Sequence, residues 1–179
     1  MAAPGPADEA PGVVAYDPRW PADFEMVRAR VWPAVAGVAV LVEHVGSTAV
    51  PGLAAKPVID VDVVVSDGRD VPRAVAALES IGHRHRGDLG VPGREAFDPL
   101  PGLPEHHLYL VVRGSPAHRD HIDLREHLRT HPRDAERYAA EKRRLAPLLA
   151  TDRAAYADGK AWLVRELLAA ARRTDRDRS

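Results

Sequence analysis

The chain has 179 residues, with 25 Lys and Arg against 26 Asp and Glu, and it contains no cysteine. This length suits one domain with a sizeable core, and the missing cysteine excludes a disulfide framework, a zinc–thiolate cluster and a thiolate nucleophile. The net charge of −1 gives no reason to expect a nucleic acid or an anionic membrane as partner. Because we find neither a signal sequence nor an apolar run of the ~18 residues that a membrane span needs, we expect a cytoplasmic protein.

Pro, Gly and Ala dominate residues 1–12 without any period, which predicts a disordered leader. Residues 13–173 show neither an internal repeat nor a linker, so we expect a single domain there. The charged residues 174–179 should form a frayed tail.

The first predicted elements are a short edge strand at 13–15 and a helix that begins at Pro21. Pro33 should kink or end this helix. Its apolar face recurs at helical spacing and consists of Phe24, Val27, Val31 and Val35.

The most informative stretch follows, where an apolar run leads into Gly46 and Ser47. Such a corner presents backbone N–H groups and a hydroxyl to an anion, and glycine permits close approach of the backbone. The β-branched run 58–65 then predicts a buried strand that is interrupted by Asp60 and Asp62. Because side chains alternate, both carboxylates should point from one face, with Cα atoms ~6.5–7 Å apart, into a water-filled hollow beside the corner. Such oxygen ligands suit Mg²⁺ bound with substrate phosphates, so the stretch predicts a triphosphate-and-magnesium site.

Helix and strand patterns alternate beyond this stretch. Residues 70–81 predict an amphipathic helix, and 83–86 a short strand on a solvated edge. The prolines and glycines of 90–104 predict a long irregular connection. Residues 106–112 predict a further strand that places His107 and Tyr109 on one face.

The last third of the chain begins with Ser115, which should cap a helix that extends to residue 130. On this helix Arg125, Glu126 and Arg129 lie within reach of one another at helical spacing. A salt bridge among them would be an ordinary structural role for the two arginines.

Two more helices should complete the chain, one from Pro132 to about Leu149 and one over 153–172 with Trp162 facing inward. The order of strands and helices favours an α/β or α+β fold with a mixed sheet.

Lysine is rare in this chain, since only Lys56, Lys142 and Lys160 stand among its 25 basic residues. A bias of this kind is typical of a GC-rich genome. Arginine alone is therefore weak evidence of function, whereas a retained lysine stands out. Lys56 precedes the predicted strand and could pair with a phosphate or with Asp60.

The arrangement of a Gly-Ser corner, a loop and Asp-x-Asp on the next strand resembles the nucleotidyltransferase superfamily. More narrowly, the string from Glu43 to Asp60, EHVGSTAVPGLAAKPVID, looks like the signature of the GrpB family, also called UPF0157. Further similarity is found in the blocks 16–21, 106–111 and 124–132 and at Tyr138 and Lys142. The resemblance implies a nucleotidyltransferase-like fold, a mixed β-sheet flanked by helices with a C-terminal helical segment.

The resemblance also implies an enzyme that depends on Mg²⁺ or Mn²⁺ and that uses a nucleoside triphosphate, expected to be ATP, and an unknown small acceptor. Asp60 and Asp62 would be catalytic metal ligands, and His107 or Glu126 would activate the acceptor. Glu43 and His44 are interpreted as supports of the corner. The predicted nucleotide-binding residues are Gly46, Ser47, Thr48, Lys56, Arg125 and Arg129.

The superfamily commonly carries a third carboxylate on a strand beside the Asp-x-Asp strand, and this chain has His or Tyr there. Four explanations are open. His107 substitutes as ligand or base, Glu126 reaches in from its helix, the site holds one metal, or catalysis has been lost. The last alternative would make the chain a catalytically degenerate module that binds a nucleotide or a protein, like the GrpB domains fused to dephospho-CoA kinase. We expect no membrane partner, and a nucleic acid is the least favoured partner.

Overall fold

The computed structural model describes residues 12–176. The expected leader, apart from Gly12, and residues 177–179 of the expected tail lie outside the described residues. The helices are α1 (Trp20–Val35), α2 (Val71–Ser80), α3 (Pro116–Thr130), α4 (Pro132–Leu145), α5 (Leu148–Thr151) and α6 (Arg153–Arg176). The strands are β1 (Ala39–Val45), β2 (Ile59–Val65), β3 (Arg94–Phe97) and β4 (His106–Val112).

The four strands form one mixed sheet in the order β1-β2-β4-β3. β2 is antiparallel to β1 and parallel to β4, and β3 is antiparallel to β4. Helices cover both faces, which explains why β2 is almost entirely apolar. The predicted mixed sheet flanked by helices is therefore confirmed.

The first face of the sheet packs against α1 and α2. Val61, Val63 and Val65 of β2 lie in one buried cluster with the apolar face of α1, as the alternation predicted. Pro33 lies inside α1, which continues to Val35 rather than ending at the proline.

The second face of the sheet carries Asp60, Asp62 and Val64 and faces the C-terminal helices. A separate cluster joins these helices to the segment between the corner and β2. It includes Val50, Leu53, Leu128, Tyr138, Leu163 and Leu167. The space between the sheet and the C-terminal helices is therefore where the polar residues of β2 point.

The region predicted to be irregular, 90–104, contains the edge strand β3. That expectation was wrong because pairing with β4, and not local propensity, fixes this four-residue strand. Conversely, the strands expected at 13–15 and 83–86 are reduced to isolated bridges, Val14 with Ala55 and His85 with Phe97.

The C-terminal helices also differ from the prediction in detail. α4 ends at Leu145, and the short α5 follows Pro147, while α6 continues to Arg176 instead of Arg172. Trp162 was wrongly expected to face inward, since it is 47% exposed and its ring lies 5.4 Å from the Arg137 guanidinium. Among the helices of residues 12–176, none has both the length and the apolar composition required to cross a membrane.

Candidate functional site

Asp60 lies directly against the Gly-Ser corner. β1 ends at Val45, which is paired with Asp60 across the sheet, so the chain turns at Gly46 beside this carboxylate. Gly46 has φ +70° and ψ −168°, a conformation that is nearly exclusive to glycine. A Cβ added there would overlap Oδ2 of Asp60 and lie 2.8 Å from its Cγ. Glycine is therefore needed both for the turn and for the space that Asp60 occupies.

The residues after Gly46 form a single 3-10 turn, Ser47–Ala49. Thr48 is buried, and its Oγ1 lies 2.9 Å from Nε2 of His44. The His44 ring stacks on Phe24, with 4.9 Å between ring centroids, and burial lowers the pKa of His44 to about 4. A neutral His44 therefore joins the corner to the core through Thr48.

Asp62 shares the face of Asp60, as predicted, but it is fully buried and lies under α3. Its Oδ2 accepts a hydrogen bond of 2.8 Å from Nδ1 of His121. Burial raises the pKa of Asp62. Burial disfavours the charged form of His121, yet the hydrogen bond to Asp62 raises its pKa on balance. The expectation of an open hollow therefore applies to Asp60 alone, because His121 covers the second carboxylate.

A third carboxylate on this face belongs to Glu43. It is paired with Asp62 across the antiparallel strands β1 and β2, and such partners project from the same side of a sheet. Oε2 of Glu43 lies 3.0 Å from Nε2 of His118. The third acid was expected on β4 or α3, and Glu43 was expected only to support the corner. The signal in the sequence was the spacing of Glu43, which stands two residues before the end of β1 and therefore on the same face as Val45, the partner of Asp60.

One face of α3 holds the corner in place. The polar residues on this face recur at spacings of three or four and are His118, His121, Arg125 and Arg129. Arg125 donates to the carbonyl of His44 at 2.7 Å, and Arg129 donates to the carbonyl of Ala49 at 2.7 and 3.0 Å. Both arginines, predicted to bind nucleotide, thus fix the backbone on the two sides of Gly46.

The two candidate general bases lie in different places. His107 is paired with Asp60 across β4 and β2, and its Nδ1 lies 2.9 Å from Oδ1 of Asp60. Glu126 is half-exposed and forms ion pairs with Arg125 at 2.7 Å and Arg129 at 3.0 Å. The structure therefore brings His107 next to Asp60, whereas Glu126 contacts the two arginines and neither aspartate.

Two adjoining cavities open between the sheet and the C-terminal helices. Cavity A has a volume of about 860 Å³ and includes Gly46 and Arg125 in its lining. Cavity B has a volume of about 440 Å³ and includes Lys56 and His107. The residues that line both are Ser47, Asp60, Arg94, Tyr109, Ala157 and Lys160. Asp60 and Ser47 thus stand where the two cavities meet.

Several lining residues were missed by the sequence analysis as members of the site. Arg94 lies on the unpredicted strand β3, with its guanidinium 4.3 Å from the centroid of the Tyr109 ring. Lys142 and Lys160 come from α4 and α6. Their rarity was a signal, but nothing in the sequence indicated that these helices face Asp60.

Asp60 and Asp62 are the carboxylates of this face that would hold a magnesium ion brought in with a substrate. Within residues 12–176, no group of three or more His, Asp or Glu side chains is arranged to hold a metal ion. Mg²⁺ is usually bound by one or two carboxylates, with waters and substrate phosphates completing its octahedron. Asp60 and Asp62 supply such a pair, although the oxygens of Asp62 are now bonded to His121.

Comparison with known proteins places this site in context. The family model described as GrpB protein matches residues 10–170. The UPF0157 protein PA4798 of Pseudomonas aeruginosa is 37% identical over 167 residues, which cover 90% of this chain and 67% of that relative. The crystal structure of conserved protein GrpB from Enterococcus faecalis has a TM-score of 0.78 at 29% identity, with 89% of this chain and 96% of that chain covered.

A weaker likeness relates the chain to the Cid1 poly(U) polymerase in its MgGTP-bound structure. The TM-score is 0.42 at 14% identity, and the match covers 76% of this chain and 47% of that chain. The close structural match is thus to a GrpB protein.

Proposed function

The chain belongs to the GrpB family, and from that premise and the geometry of the corner we propose that it is a magnesium-dependent nucleotidyltransferase-type enzyme. It would use a nucleoside triphosphate, with ATP as the expected one, and a small acceptor. The observation that supports the proposal is the closeness of Asp60 to Gly46, because the first carboxylate of Asp-x-Asp then lies beside a Gly-Ser corner of the kind that binds phosphate.

Cavity A suits the nucleotide in size and in charge. Its volume of about 860 Å³ falls within the range of small-molecule and cofactor sites. Cationic side chains line it beside the corner, namely Arg94, Arg125, Lys160 and Arg165. The phosphates would lie at Gly46 and Ser47, where backbone N–H groups and a hydroxyl are available.

Asp60 and Asp62 would hold Mg²⁺, which neutralises charge on the substrate phosphates when it is bound. His107 would act as the general base. When its Nδ1–H donates to Asp60, the lone pair of Nε2 is left to accept the proton of an acceptor hydroxyl. This tautomer follows from the carboxylate partner, because an ionised carboxylate only accepts hydrogen bonds.

A second candidate function is a module that binds a nucleotide or a protein without catalysis. The observation in its favour is that Asp62 is buried and already bonded to His121, so that one of the two expected metal ligands is occupied by the protein itself.

Calorimetric titration with ATP, with and without Mg²⁺, distinguishes the two candidates. Asp60→Asn keeps the shape of the side chain next to Gly46 and removes its charge. We expect it to weaken Mg²⁺-dependent ATP binding by about tenfold or more, as expected for the loss of a contact to a charged group. Asp67→Asn is the matched control, because Asp67 follows the same strand but lies at the exposed Arg69 ion pair.

ATP binding that requires Mg²⁺ and Asp60, with pyrophosphate release on addition of an acceptor, would support the enzyme. ATP binding that is indifferent to both Mg²⁺ and the Asp60 substitution would favour the binding module. A wild-type protein without measurable affinity at millimolar ATP would contradict the proposed enzyme.

A further inference from the structure

All three lysines of the chain line cavity B. Only three of the 25 basic residues are lysines, and they come from three separate segments: the loop before β2, α4 and α6. Lys56, Lys142 and Lys160 nevertheless meet at one cavity. Arginine fills every other one of these basic positions, so this convergence indicates a demand for the ammonium group itself. Lysine provides a compact charge with three donors, a common choice for binding a phosphate.

The cationic side chains of cavity B exceed its acidic ones. Among the described residues that line it, Asp60 is the one carboxylate, whereas the cations are the three lysines and Arg94. Lys142 is 2% exposed, and its Nζ donates to the carbonyl of Ala54 at 2.5 Å. An ammonium has three donors, so this neutral carbonyl satisfies only one of them. The charge balance of the cavity is suited to a dianion.

The pKa of Lys142 reflects its burial among other cations. The pKa of Lys142 is lowered to about 7, mainly by burial and in part by the nearby charges of Lys160 and Arg143, while the charge of Asp60 acts in the opposite direction. A bound anion would reverse this effect, since an opposite charge favours the ammonium form.

Each cavity also has residues that line it alone. Gly46 and Arg125 line cavity A, whereas His107 lines cavity B with the lysines. We propose, building on the nucleotidyltransferase function above, that cavity B binds the acceptor and that the acceptor carries a phosphomonoester group held by the three lysines. Its volume of about 440 Å³ suits a small phosphorylated molecule.

The reaction then takes place where the cavities meet, at Asp60. A hydroxyl oxygen of the acceptor attacks the α-phosphorus of the nucleotide and forms a new O–P bond. The bond from that phosphorus to the bridging oxygen breaks, and pyrophosphate leaves with the electron pair. The hydroxyl proton passes to Nε2 of His107.

The test uses inorganic phosphate as the probe and calorimetry as the readout, in the full chain without nucleotide. We expect Lys56→Met and Lys160→Met each to weaken phosphate binding by about tenfold or more, because each removes a charged donor. Lys160→Arg keeps the charge but replaces the compact ammonium, so it should recover only part of the affinity. Arg144→Met is the matched control, since Arg144 is an exposed cation on α4 that pairs with Glu141 outside both cavities.

ATP titration of the same variants separates this inference from the function on which it rests. Thermal unfolding first confirms that each variant is folded. Lys56 lines cavity B and not cavity A, whereas Lys160 lines both, so Lys56→Met is the variant that makes this comparison. Lysine-dependent phosphate binding, with the ATP affinity of Lys56→Met changed less than about threefold, supports the acceptor site. A Lys56→Met variant that loses ATP affinity as strongly as phosphate affinity would show that cavity B holds the triphosphate itself and would overturn the proposal.

Two other outcomes are equally informative. Phosphate that fails to bind the wild type, or that binds all variants alike, overturns the lysine site. Lysine-dependent phosphate binding in a protein that binds no nucleotide supports the anion site and removes the proposed nucleotidyltransferase activity.

Discussion

Replacement of Lys142 by Met should remove a pH-dependent cost to folding. The side chain is 2% exposed, and burial lowers its pKa from 10.5 to about 7. Between these values the unfolded chain binds more protons than the folded chain, so the free energy of unfolding of the wild type rises with pH. The free energy of unfolding can rise by at most ~1.4 kcal/mol per pH unit for this one group. Over the whole pH range between the two pKa values of Lys142 the rise is therefore at most about 5 kcal/mol.

Urea unfolding of wild type and Lys142→Met at pH 7, 8 and 9, in buffer without phosphate, measures this effect. From pH 7 to pH 9 the free energy of unfolding of the wild type should rise by about 2 kcal/mol relative to that of Lys142→Met. The variant also loses the hydrogen bond to Ala54, a change that is constant with pH and leaves the slope intact. Arg144→Met should run parallel to the wild type. Parallel curves for Lys142→Met would refute a lowered pKa of Lys142.

Two further substitutions test the packing around the carboxylates. Gly46→Ala should lower the free energy of unfolding by about 1–3 kcal/mol, because of its backbone conformation, with the contact to Asp60 adding to the loss. Gly37→Ala should change the melting temperature little, since an added Cβ meets nothing within 4 Å. His121→Ala leaves the carboxylate of Asp62 buried without its partner and should cost about 3–5 kcal/mol in urea unfolding. Adding Asp62→Asn to that variant should recover part of the lost free energy of unfolding. If the losses of the two single variants simply add in the double variant, Asp62 and His121 are not coupled.

The predicted part of the site is the part that local strand pairing determines. Gly46 directly follows β1 and Asp60 lies on β2, so the antiparallel pairing of these consecutive strands, which joins Val45 to Asp60, brings the two residues together. Alternation along β2 was sufficient to place Asp60 and Asp62 on one face. It could not predict that Asp62 is buried, because that depends on how α3 lies over the sheet.

The unpredicted part of the site comes from distant segments. Lys142 and Lys160 meet Lys56 only because α4 and α6 pack against the second face, and helical periodicity does not specify that orientation. Arg94 was missed because β3 has four residues in a region rich in Pro and Gly. Its strand conformation is set by pairing with β4 rather than by its own composition.

His121 determines whether Asp62 is open to a metal, and magnesium binding to His121→Ala can therefore decide between an enzyme and a binding module. In this variant the buried carboxylate lacks its partner, so a divalent cation should gain affinity for Asp60 and Asp62. A ligand that binds only the folded state stabilises it by about 2.7 kcal/mol at a hundredfold excess over Kd. We expect Mg²⁺ to raise the melting temperature of His121→Ala more than that of the wild type, and the double variant with Asp62→Asn to lose this response. If Mg²⁺ raises the melting temperature of all three proteins equally, Asp62 binds no magnesium. The pair of Asp62 with His121 would then be structural, which agrees with a binding module and not with the enzyme.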